Sequence, residues 1–173
     1  VRKSDPATRE TSQAEVFRGP RSPWRTRYFI DTEFTDFLDC QLISVAIAGE
    51  DGREFYGECS DFERSACSEF VRAAVLPQLG RFPSRSMPAA QLRDELRAWL
   101  LDVPVKPKRV LCFDYQGDFD LVLDLLDYDM PPGWKCEHIG GRLDAERLEM
   151  YFRKYGGRHH ALHDARANCY AFI

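Results

Sequence analysis

This 173-residue chain is poor in paired cysteines, long apolar runs, histidine and net positive charge. Its six cysteines (Cys40, Cys59, Cys67, Cys112, Cys136 and Cys169) form no C-x-x-C pair and no zinc-finger spacing, which excludes a zinc-finger framework. Several lie inside apolar runs, the pattern of free thiols kept in a reducing cytoplasm. No stretch approaches the ~18 apolar residues of a membrane helix. A net charge of -4 gives no global positive field for gripping long nucleic-acid duplexes. It leaves open a small site that works through bound metal ions. Residues 1–26 are polar and lack the apolar core of a signal peptide. They read as a flexible or vector-derived arm before a single domain, 27–173. No repeat or low-complexity tract interrupts that domain.

What is present reads as alternating structure. Arg27 to Phe34, "RYFIDTEF", is β-rich and aromatic. Leu42 to Ala48 is a near-continuous apolar run suited to a buried strand. Asp51-Gly52 is a tight-turn dipeptide before "REFYGEC", so these last two strands should form a hairpin. Ser60-Asp61-Phe62-Glu63 has the form of a capping box and predicts a helix from there to Pro77. Residues 80–88 read as a loop. Leu92, Leu96, Trp99 and Leu100 repeat at helical spacing. Arg109 to Tyr115 reads as a strand, Gly117 as a break, and "DFDLVLDLL" as a helix. A short strand follows at Lys135 to Ile139. Leu148, Tyr151, Phe152 and Tyr155 mark a helix stopped by Gly156-Gly157. Leu162, Ala165, Cys169 and Phe172 form the apolar face of the last one. The order predicts an α/β domain with a mixed sheet.

Three acidic positions stand out. Asp31 and Glu33 are two apart on a predicted strand and therefore share a face. Two like charges among Phe29, Ile30 and Phe34 call for a compensating hard cation; the plainer reading leaves one of them solvated at the strand end. Asp120 opens a helix in an acidic stretch with Asp114 and Asp118. A helix-capping role needs no further function, and Asp118 is the more obvious cap. Asp164 follows His159, His160 and His163. In a continuous helix His160 and Asp164 would share a face, but Gly156-Gly157 starts the helix late, so spacing alone does not choose between His159 and His160. An exposed helix start explains the cluster locally. A zinc site from His159, His163 and Cys169 is a further alternative.

Taken in order, Asp31-Thr32-Glu33, Phe119-Asp120 and His159-His160-Ala161-Leu162-His163-Asp164 resemble the motifs of the DEDDh 3'→5' exonucleases. "RYFIDTEF" and "HHALHDAR" are similar to the first and last motifs of the RNase AS-like exoribonucleases, and the resemblance covers about Arg27 to the C-terminus. It implies an RNase H-like fold with a five-stranded mixed sheet flanked by helices. It implies two Mg2+ or Mn2+ ions held by Asp31, Glu33, Asp120 and Asp164, with Asp118 as second choice for the middle carboxylate. The family's histidine lies five residues before its last aspartate, which matches His159 as general base.

The substrate so implied is a single-stranded RNA 3' end, adenylate-rich in the nearest relatives, cleaved to nucleoside 5'-monophosphates by a cytoplasmic homodimer. Phe34 is the candidate base-stacking residue, with a core role as its alternative. Thr32, between the paired acids, joins it as a substrate-contact candidate. Arg166 could reach phosphate or be an ordinary solvated helix charge. Two rival functions are a DNA 3'→5' exonuclease with the same site and a non-catalytic RNase H-like module that binds RNA or a partner.

Overall fold

The structure, a computed structural model, describes residues 22–173. Most of the 1–26 arm lies outside the described residues. Arg25 and Thr26, assigned above to that arm, already belong to strand β1 (Arg25–Phe34). Their parallel partners are Lys108 and Arg109.

β1 is followed by β2 (Leu42–Gly49) and β3 (Glu54–Cys59), antiparallel neighbours as expected. The turn between β2 and β3 closes with Gly52 at φ +85°, a left-handed conformation that glycine adopts without steric cost. β5 (Lys108–Phe113) pairs parallel to β1, and β6 (Lys135–His138) pairs parallel to β5. Among the described residues the sheet has six strands rather than five. The extra one, β4 (Ser86–Met87), lies in the predicted loop and pairs parallel to the end of β3. Two residues are too few to show a period. The strand order is β4-β3-β2-β1-β5-β6.

Five α-helices lie among the described residues: α1 (Glu69–Ala74), α2 (Ala89–Asp102), α3 (Gln116–Leu125), α4 (Ala145–Tyr155) and α5 (Ala161–Ala171). The predicted capping box at Ser60 does not start a helix. Ser68 caps α1, accepting from the Val71 N–H. Asp61 instead accepts from the Ala89 N–H at the start of α2, where Pro88 provides no side-chain cap. Gly117 does not break α3 but lies in its first turn.

The two sheet faces are packed differently. On one, Tyr28, Ile30, Val45, Ile47 and Leu111 meet Leu92, Leu96 and Leu100 of α2 and Val122 of α3. On the other, Ala46, Ala48 and Tyr56 meet Ala161, Leu162 and Ala165 of α5. Small side chains there let α5 approach β1 and β2. All six cysteines are free; Cys40 is exposed. No helix among the described residues is long and apolar enough to cross a membrane.

Candidate active site

The parallel pairing of β1 with β5 builds the site. Phe29 stands opposite Cys112. Two residues further on, past a full side-chain period, come Asp31 and Asp114. α3 begins directly after β5 and brings in Asp118. α5 crosses the same sheet face and brings in Asp164. Among the described residues, carboxylate oxygens gather within 4.8 Å of one another in two groups. One is Asp31, Glu33 and Asp164; the other is Asp31, Asp114 and Asp118. Asp31 belongs to both.

The environment opposes negative charge. Burial raises the Asp31 pKa well above the usual carboxylate range, and Asp118, Asp164 and Glu33 add to the rise. Burial and the Asp164 and Asp118 charges push Glu33 up to about 8. Asp118 and Asp164 are each pushed up to about 7, chiefly by burial. Burial also raises Asp114. Glu33 and Asp164 share a hydrogen bond. Such a group is either partly protonated or balanced by a cation.

Hydrogen bonds fix the acids in place. The Thr32 hydroxyl donates to Asp118 Oδ1 at 2.6 Å, and the Thr32 backbone N–H donates to the same oxygen at 3.2 Å. Thr32 is buried, so it positions a carboxylate rather than lying open to a substrate. Asn168 Nδ2 donates to Asp114 Oδ1 at 2.8 Å.

Asp120 does not join the cluster. It is exposed, and its Oδ1 accepts from Gln116 Nε2 at 2.9 Å. Helix register is the reason. α3 starts at Gln116, which turns Asp118 and Val122 inward together and Asp120 away from them. The middle carboxylate of the cluster is Asp118. Asp114 and Asn168 were missed by the sequence reading. Asp164 and Asn168 are four apart on α5 and share its site-facing side, a signal that could have found Asn168.

His159, five residues before Asp164, has φ +65°, a conformation uncommon for a side-chain-bearing residue. Its ring meets Phe70 edge-on at 4.9 Å, and its carbonyl accepts from Gln78 Nε2. Burial, and then the neighbouring Arg158 charge, lower its pKa. His160 is buried and stacks on Tyr56 at 4.8 Å; its carbonyl accepts from the Asp164 N–H as α5 begins. His163 Nδ1 lies 3.3 Å from the Tyr151 hydroxyl, and Cys169 is buried with Phe29 and Ile139. The zinc triad of His159, His163 and Cys169 therefore does not assemble. Arg166 forms a two-bond pair with Glu54, both at 2.7 Å, and is not a solvated charge.

No family profile matches the chain. Over 54 residues it is 44% identical to a Mycobacterium tuberculosis (strain ATCC 25618 / H37Rv) protein named 3'-5' exoribonuclease Rv2179c, a stretch covering 31% of this chain and 32% of that one. The match thus spans about a third of that relative's length. An Escherichia coli exonuclease I–single-stranded DNA complex in a zinc-bound form superposes with a TM-score of 0.52 at 17% identity, over 85% of this chain and 38% of that one. Cell-death related nuclease 4 superposes with a TM-score of 0.53 at 16% identity, over 85% of this chain and 62% of that one. The fold is the RNase H-like exonuclease fold. Its mixed sheet is flanked by helices, and its acidic cluster sits where β1, β5, α3 and α5 converge.

Proposed function

We propose that the chain is a metal-dependent 3'→5' exoribonuclease that releases nucleoside 5'-monophosphates from single-stranded RNA ends. The observation that carries this reading is the pair of carboxylate groups sharing Asp31. The donor set fits hard divalent cations. All five ligands are carboxylates, neither group contains sulfur or imidazole, and burial leaves their charge uncompensated. Oxygen-only ligation suits Mg2+ or Mn2+. Asp31, Glu33 and Asp164 would hold one ion, and Asp31, Asp114 and Asp118 the other. Two such ions supply, when bound, a charge clamp on the attacking and leaving oxygens of a phosphodiester.

The remaining roles fall to the chain itself. Thr32 and Asn168 keep Asp118 and Asp114 aimed into the cluster. His159 takes the proton of the attacking water. Its depressed pKa keeps the imidazole neutral at pH 7, the form that accepts a proton. Its unusual backbone conformation is of the kind that persists at working sites. Phe34, next to Glu33, offers a ring for stacking, worth about 1–3 kcal/mol per base.

The 44% identity over 54 residues with a protein named exoribonuclease favours RNA; the fold neighbour bound to single-stranded DNA keeps a DNA exonuclease as the second reading. The test is incubation of 3'-labelled RNA and DNA oligomers with Mg2+. Mononucleotide release from RNA alone is expected. His159→Ala should slow it about 10²–10⁴-fold without weakening Mn2+ binding. Release from DNA alone would select the second reading, and release from neither by folded protein would leave a binding module.

A further inference from the structure

Between α4 and α5 the chain turns through three positive-φ residues in four: Gly156 at +66°, Gly157 at +79° and His159 at +65°. Glycine takes such values freely; a histidine keeps them only where its surroundings hold it. α5 supplies no such hold, because its cap residue His160 makes no side-chain capping bond. The hold comes from far along the chain. Gln78, in the single helical turn Leu76–Gln78 after α1, donates from Nε2 to the Arg158 carbonyl at 2.7 Å and to the His159 carbonyl at 2.9 Å. The same nitrogen reaches the Ala74 carbonyl at 2.9 Å, so one amide ties the end of α1 to the turn. Phe70, on α1, meets the His159 ring edge-on at 4.9 Å. Phe70 is 56% exposed, so core packing does not explain its place. The segment is itself anchored. Val71 and Val75 are buried with Ile43 of β2. The Ser68 N–H donates to the Thr35 carbonyl at 2.9 Å, two residues past Glu33. On the other side of His159, the His160 carbonyl accepts from the Asp164 N–H at 3.0 Å. Contacts therefore run without a gap from the strand that carries Asp31 and Glu33, through Gln78, to the start of the helix that carries Asp164.

We propose that Gln78 is the positioning residue of His159: its amide fixes the carbonyls of the turn, and Phe70 then limits where the imidazole points. The inference rests on the nuclease reading for what His159 does, not for the clamp. The donors are the essential feature. A primary amide donates from nitrogen, whereas a carboxylate of the same shape only accepts. In Gln78→Glu the carbonyls of Ala74, Arg158 and His159 would face oxygens of like partial charge. Backbone carbonyls without a donor draw the turn toward water. His159 would keep its place in the sequence and lose its aim. A general base works only within hydrogen-bond reach of the proton it takes, so the loss would fall on the chemical step. The bonds that hold Asp114 and Asp118 come from Asn168 and Thr32, so metal binding should be spared.

Cleavage kinetics on 3'-labelled RNA separate positioning from folding. Gln78→Glu should lower kcat about 10–10²-fold, with KM and Mn2+ binding within about twofold of the unaltered protein. In a His159→Ala background the same change should cost less than about twofold, because the group it aims is gone. Gln78→Ala, without the repelling oxygens, should act in the same direction and less strongly. An unchanged kcat in both variants, or an equal fractional loss with and without His159, overturns the assignment. The clamp is also read without substrate. In NMR spectra of the full chain, His159→Ala identifies the His159 ring signals. The unaltered protein should show a nuclear Overhauser contact between the His159 and Phe70 rings that Gln78→Glu abolishes. A contact that persists in Gln78→Glu overturns the clamp. Its loss in a protein that cleaves no RNA would sink the nuclease reading and leave the clamp standing.

Discussion

The two faces of the sheet are built from side chains of different size, and the difference separates stability from chemistry. Toward α2 and α3 the sheet presents Tyr28, Ile30, Ile47 and Phe55, answered by Leu92, Leu96 and Leu100. Toward α5, beside Tyr56 and Leu162, it places Ala46 and Ala48 against Ala161 and Ala165. Large apolar side chains stabilise in proportion to the area they bury, about 25 cal/mol per Å². Alanines bury little, but they allow close approach. That approach brings Asp164 into hydrogen-bonding reach of Glu33. The α5 face therefore forgoes burial and gathers charges that repel.

The division breaks most visibly at Asp31. Asp31→Asn removes a charge shared by both carboxylate groups and keeps the side-chain shape. Cleavage should fall by more than the about 10²–10⁴-fold that loss of a general base costs. The melting temperature of the metal-free protein should rise, because a buried repulsion is gone. Leu96→Ala, on the opposite face, should do the reverse. Stability should drop by about 2–5 kcal/mol, with kcat per folded molecule unchanged. If both variants moved activity and stability together, the faces would not be separable. A milder change sharpens the point. Ala165→Leu overpacks the α5 interface at a cost of about 1–3 kcal/mol and should lift Asp164 away from Glu33. Activity measured on the folded fraction should then fall, with weaker Mn2+ binding as the accompanying sign.

Strand period made Asp31 and Glu33 legible as a same-face pair, because the alternation rule needs only local sequence. The hairpin and the long α2 were legible for the same reason. Asp120 was not: an aromatic-Asp motif says nothing about where a helix begins. With Gly117 read as a break, the register of α3 came out wrong. The stripe of Asp118, Val122 and Leu126, all buried, was in the sequence at four-residue spacing and points inward as a unit. Asp114 needed tertiary knowledge, since only the parallel register of β5 against β1 brings it level with Asp31. Ser60 shows the limit of capping signals. The box was present, but Asp61 caps a helix 28 residues away.

The smallest expected effect is on pH dependence, and it separates the faces without a substrate. Glu33 is pushed up to about 8, and Asp118 and Asp164 to about 7, each first by burial. These folded-state values lie above ordinary carboxylate values of about 4. The folded protein thus holds protons that the unfolded chain has released. The stability these groups contribute is full below about pH 4 and is lost as pH rises through 7 to 8. The Tm of metal-free protein should therefore fall between pH 5 and pH 8, on the order of 5 °C. Millimolar Mg2+ should restore more of it at pH 8 than at pH 5, because ligation needs deprotonated carboxylates. Asp31→Asn should flatten the profile, whereas Leu96→Ala should lower it at every pH and keep its slope. A Tm that is level from pH 5 to pH 8 without metal would mean that the acids at the α5 face are not competing for charge.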